Sequence, residues 1–171
     1  MIFNLFRKST APDAAFEAYR SIVAQSRQEQ FYALWGVPDT VTGRFDMISL
    51  HLALMLHRLK GDSTGRPFGQ KLVEAFFRDM DESIRELGVT DLGVAPRIKK
   101  MGKAFYGLAE ALDPGLSNGD AAAIEPVLVR NLYDGAANSG ATQLAAYLVA
   151  EAQRLAATPT ATLIQPQGVA A

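Results

Sequence analysis

The 171-residue sequence contains no cysteine. That excludes disulfides, zinc–thiolate sites, iron–sulfur clusters and thiol nucleophiles together, and it fits a reducing compartment. Net charge is nearly absent too. At −1, the chain has no global field to draw it to nucleic acid or an anionic membrane. Long apolar runs are also missing. The main one, Met47 to Leu56, is about half of the roughly 18–20 residues that a bilayer span needs, and charged residues flank it. No nucleophile elbow, phosphate-cradling glycine loop or DNA-reading motif is present.

What remains is an ordinary globular composition, 49% hydrophobic and 20% charged, on a length that suits one domain with a real core. The pattern is helical almost throughout and predicts an all-α single-domain bundle of about six helices. Phe16, Tyr19, Ile22 and Val23 recur at helical spacing after Pro12 and Asp13. "FYALWGVPDT" reads as a turn-rich link. The stretch "GVPDTVTGRFDMISLHLALMLHRLK" then becomes apolar on every side, as a helix at the centre of a bundle would. Phe68, Leu72, Phe76, Met80 and Ile84 fall at steps of four, with Gly88 placed to stop the helix. Pro96 suits the first turn of the next, whose stripe is Ile98, Met101, Phe105, Leu108 and Leu112; "DPGLSNGD" breaks that pattern. Two more helices are expected over 121–133 and 141–157, with Glu151 at the edge of the last apolar stripe. We place a flexible segment at 1–11, the domain at 12–157 and a mobile tail at 158–171. The opening "MIFNLFRKS" is too short for a signal peptide and fits either a frayed terminus or a weak membrane-surface contact.

Three constellations bear on function. His51 and His57, the only histidines, lie six residues apart, about 240° around a helix, so they cannot share a metal from one face. A hydrogen-bonded, partly buried His51 and a helix-end His57 fit better. "RDMDESIRE" gathers Asp79, Asp81, Glu82, Arg85 and Glu86. It reads as a salt-bridged face, with Arg78 four residues before Glu82, or as a partner-binding face. A magnesium-dependent enzyme acting on a prenyl-diphosphate-like substrate would need a second acidic cluster facing Asp79 and Asp81, and the sequence supplies none. Arg97, Lys99, Lys100 and Lys103 make a basic face, beside which Tyr106 is the expected exposed aromatic and Phe105 a core residue. That face allows a ribosome- or RNA-docking adaptor. No residue is singled out as catalytic, and no metal or cofactor is expected.

Two long motifs, "GVPDTVTGRFDMISLHLALMLHRLK" and "FFRDMDESIRELGVTDLGVAPRIKKMGKAFYG", resemble the ubiquinol–cytochrome c chaperone family. The likeness runs from about Tyr19 to Ala111 and more loosely through "RNLY" at Arg130–Tyr133. Its signature positions in the first motif are Gly36, Pro38, Asp39, Gly43, Arg44, Asp46 and His51. Leu108 stands where the family pattern has arginine after Phe-Tyr-Gly. The resemblance implies a non-enzymatic factor in assembly of the cytochrome bc1 complex. Its client would be cytochrome b, with a small partner protein and contact to the ribosome or membrane surface. Because the chain starts close to the shared domain it looks like a bacterial member, cytoplasmic or peripheral at the inner face of the membrane. Asp79, Asp81, Arg85, Glu86, Lys99, Lys100, Lys103 and Tyr106 are the candidate partner-binding residues. Asp39, Arg44 and Asp46 are expected to brace the start of the central helix by hydrogen bonds.

Overall fold

The computed structural model describes residues 13–165 and contains, among them, eight α-helices and no strand. Six are long: α1 (Ala14–Ser26), α3 (Val41–Leu59), α4 (Gly65–Glu86), α5 (Asp91–Asn118), α6 (Ala121–Leu132) and α7 (Ser139–Ala157). Two are short, α2 (Glu29–Ala33) and α8 (Thr160–Leu163). The segment expected to be flexible, 1–11, lies outside the described residues.

The apolar run is the axis of the molecule. α3 packs against α1, α4, α5, α6 and α7, and Met47, Leu50, Leu52, Leu54 and Leu59 are all buried. A helix with apolar residues on all sides is stable only if neighbours cover all sides. Thr40 caps it, its hydroxyl accepting from the Gly43 amide at 3.1 Å. Gly43 is forced by a close approach: a Cβ there would lie 1.9 Å from the Pro38 carbonyl oxygen. Gly140 plays the same part at the start of α7, where a Cβ would lie 1.8 Å from the Trp35 carbonyl oxygen. The link between α2 and α3 is therefore pinched between two helix N-termini.

Several boundaries depart from the sequence reading. The "FYALWGVPDT" link begins within a helical turn, α2, because Phe31 is a core anchor, buried against Trp35, His51 and Tyr147 at centroid separations of 5.4, 5.5 and 5.1 Å. α5 starts at Asp91, ahead of Pro96, and runs on through Pro114. The carbonyl that Pro96 leaves free is that of Leu92, a residue open to water. At Pro114 packing overrides propensity: Leu108, Leu112 and Leu116 continue one buried stripe, and Asp113 holds His57 at 2.8 Å and also Lys60. α4 ends as expected, with Gly88 at φ 81° and the paired amide bonds Gly88 to Arg85 and Val89 to Ile84.

The C-terminal part also differs. Residues 158–165, placed in a mobile tail, are docked. Arg58 donates to the carbonyls of Leu155 and Thr158, each at 2.9 Å, and to the Thr160 hydroxyl at 3.0 Å. Thr160 in turn donates to Asp62, and Leu163 is buried. Thr160, with the hydroxyl and amide of Thr64 and the amide of Gly65, holds the Asp62 carboxyl well below its usual range.

Candidate functional site

Both histidines are hydrogen-bonded to neighbouring helices, His57 to Asp113 of α5 and His51 to Tyr147 of α7. His51 is buried, and its Nδ1 lies 2.8 Å from the Met47 carbonyl, which can only accept. Nδ1 therefore carries the proton, and Nε2 accepts from the Tyr147 hydroxyl at 2.8 Å. Gln25 donates to the Tyr147 oxygen and to Glu151, both at 3.0 Å, and Arg154 closes the chain on Glu151 at 2.6 Å. Burial pushes the imidazole pKa down, which keeps the neutral tautomer this chain needs. Glu151 is thus a buried member of the α7 stripe, satisfied by these donors, and not its edge.

The acidic and basic motifs meet along one groove. It runs between the start of α3, the end of α4 and the first half of α5, as two adjoining cavities of about 440 and 430 Å³. Both are lined by Val41, Phe45, Ile84, Leu87 and Met101. Val41 and Leu87 are 66% and 62% exposed, so the groove has an apolar rim as well as an apolar floor. Asp79 and Glu86 line one cavity; Asp46, Arg97 and Lys100 line the other. A larger cavity of about 640 Å³ shares Arg27 and Arg44 with the first. It carries the Asp39–Arg44 pair at 2.7 Å, and the arginine lowers the Asp39 pKa.

The candidate residues do not all converge. Asp79 accepts from the Tyr19 hydroxyl at 2.6 Å, tying α4 to α1. Asp81 pairs with Arg85 at 2.7 Å, and Arg85 also reaches Asp91 across the α4–α5 turn. Asp79 and Asp81, two residues apart on a helix, diverge by about 200°. Among the described residues no group of three or more His, Cys, Asp or Glu side chains could hold a metal ion. The expected Arg78–Glu82 pair is not formed; Arg78 instead lies 5.2 Å over the Phe16 ring. Lys99 and Lys103 are exposed and do not line the groove, whose α5 lining is Arg97, Lys100, Met101 and Ala104. Phe105 is fully buried and Tyr106 is 55% exposed, its ring 6.3 Å from Phe77.

Of the three residues expected to brace α3, Asp39 and Arg44 do so. Asp46 does not: among the described residues no hydrogen bond or ion pair reaches it, and burial alone pushes its pKa up to about 7. An acidic residue one turn into a helix after a turn motif looks like a brace. Only the placement of α4 and α5 reveals that this one lines a cavity in which no donor reaches it.

The comparisons with known proteins agree with this architecture. The family model of the ubiquinol–cytochrome C chaperones matches residues 33–170. The crystal structure of the Cbp3 homolog from Brucella abortus superposes with a TM-score of 0.83 at 38% identity, covering 96% of this chain and 93% of that one. Ubiquinol-cytochrome-c reductase complex assembly factor 1 of Xenopus laevis is 23% identical over 122 residues, and that of Mus musculus 27% over 108. These matches take in 71% and 63% of this chain, and the chain spans 60% and 37% of the length of those two relatives. With the family match running from residue 33 through α3 to α8, well over half of the sequence, the chain belongs to the ubiquinol–cytochrome c chaperone family.

Proposed function

We propose that the protein is a non-enzymatic assembly chaperone that binds cytochrome b and promotes assembly of the ubiquinol–cytochrome c reductase complex. The observation that carries this is the family match across residues 33–170. The geometry is consistent with it: an open apolar groove with charged walls suits holding a protein segment. Asp79 and Asp81, held apart by Tyr19 and Arg85, give the prenyl-diphosphate reading no ligand pair. Among the described residues no helix is long and apolar enough to cross a membrane.

Deleting the gene in the native host tests the reading. Assembled bc1 complex should fall while other respiratory enzymes persist, and a tagged copy should retain newly made cytochrome b. Normal bc1 levels in the deletion strain would sink it. Co-sedimentation with ribosomes that is lost at raised salt and in a Lys99→Gln, Lys103→Gln variant would assign the outer basic face to ribosome docking.

A further inference from the structure

The groove contains a carboxylate that its surroundings do not satisfy. Asp46 lies beside Phe45 in the α3 wall, half-buried and without a donor among the described residues. The charged groups around it can be named element by element. From α5, Arg97 and Lys100 line the same cavity but stand beyond ion-pair distance. From α4 the lining is Ile84 and Leu87, with Glu86 and Asp79 in the adjoining cavity. On α3 itself, Arg44 is held by Asp39. A desolvated carboxylate without a donor costs stability, and a cation arriving with a partner offsets that cost only when the groove is filled.

We propose that this groove seats an amphipathic helix of a partner protein, apolar face down on Phe45, Ile84, Leu87 and Met101, with one lysine or arginine against the Asp46 carboxylate. Charge complementarity selects that occupant. The half-buried carboxylate asks for a cation near the middle of the bound face, while Arg97 and Lys100 on the α5 side favour acidic residues along one edge of the incoming helix. A basic residue fixes register and an acidic edge fixes direction, the two things an apolar groove alone leaves open. The inference rests on the reading of the chain as a protein-binding factor, and not on which complex it serves.

The test uses the full chain and two labelled synthetic helices of about 18 residues, roughly 27 Å long. Both carry a leucine face and a glutamate edge; one has a central lysine at the border of the leucine face, the other a glutamine there. Fluorescence anisotropy should show the lysine peptide binding at least about tenfold tighter. Asp46→Asn should abolish that difference and leave the glutamine peptide within about twofold. Leu87→Asp should weaken both; Leu87 is mostly exposed, and a thermal melt checks that this variant stays folded. The lysine preference should grow as pH rises from about 6 to about 8, because Asp46 loses its proton across that range. Equal binding of the two peptides, or a preference that survives Asp46→Asn, overturns the proposal. A concentration-dependent dimer that Leu87→Asp dissolves would put a second copy in the groove and also overturn it. Failure here with low bc1 in the deletion strain removes the groove assignment alone. Normal bc1 with the lysine preference intact removes the assembly reading alone.

Discussion

The Tyr147 hydroxyl lies 2.8 Å from His51 Nε2, joining residues 96 apart in sequence and fastening α7 to the central helix. Around that bond Phe31, Trp35, His51 and Tyr147 form one aromatic cluster. Removing the hydroxyl leaves a buried imidazole nitrogen without a donor, which costs about 1–3 kcal/mol. Tyr147→Phe should therefore lower Tm by roughly 2–12 °C at neutral pH while preserving the helical circular dichroism. An unchanged Tm would show that water reaches His51.

His51 and Asp46 pull the pH dependence of stability in opposite directions. The histidine pKa is lowered in the fold, so the unfolded chain binds more protons below about pH 6.5 and stability falls as pH falls through that value. Asp46 is raised from 3.8 to about 7, so the folded chain binds more protons between those values and stability falls as pH rises from about 4 to 7. Asp46→Asn should accordingly raise Tm by about 2–4 °C near pH 8, with the gain fading towards pH 4. A gain that is the same at every pH would point to a cause other than the carboxylate charge.

Gly43 and Gly140 offer a sharp contrast with Gly107. The first two have a carbonyl oxygen where a Cβ would sit, whereas nothing lies within 4 Å of a Cβ at Gly107. Gly43→Ala and Gly140→Ala should each destabilise by about 2–4 kcal/mol, since backbone must move. Gly107→Ala, inside α5 and exposed, should stabilise by about 0.5–1 kcal/mol. Chemical denaturation of the three variants checks the order.

Truncation after Ala157 removes the acceptors at Thr158 and Thr160 from Arg58 and uncovers the core that Leu163 seals. Burying a leucine is worth about 1.5–3 kcal/mol, so the shortened chain should melt about 3–12 °C lower. If it melted with the full chain, the α8 turn would be an ornament on the bundle.

Much of this was legible in the residues. The steps of four from Phe68 to Ile84 became the inner face of α4, and the run from Met47 to Leu56 became the buried axis, because hydrophobic periodicity reports burial directly. Where packing outweighed local preference, the pattern misled: Pro114 reads as a stop, yet Leu112 and Leu116 on either side of it are core. α8 was hidden because its order comes from Arg58 and Asp62, far away in sequence. The groove could not be read at all. Its lining is contributed by three helices, and nothing in "GRFDM" distinguishes a bracing aspartate from one that lines a cavity with Ile84 and Leu87 of α4.

The central position of α3 sets a timetable for the chain's own synthesis. Its apolar surface is complete once Leu59 has been added, but α7, which covers one side, and α8 come last. At about 5–20 residues per second, roughly 5–20 s separate Leu59 from the end of α8. Throughout that interval a helix with no polar face lacks part of its cover, so the nascent protein is itself a candidate for protection by other chaperones.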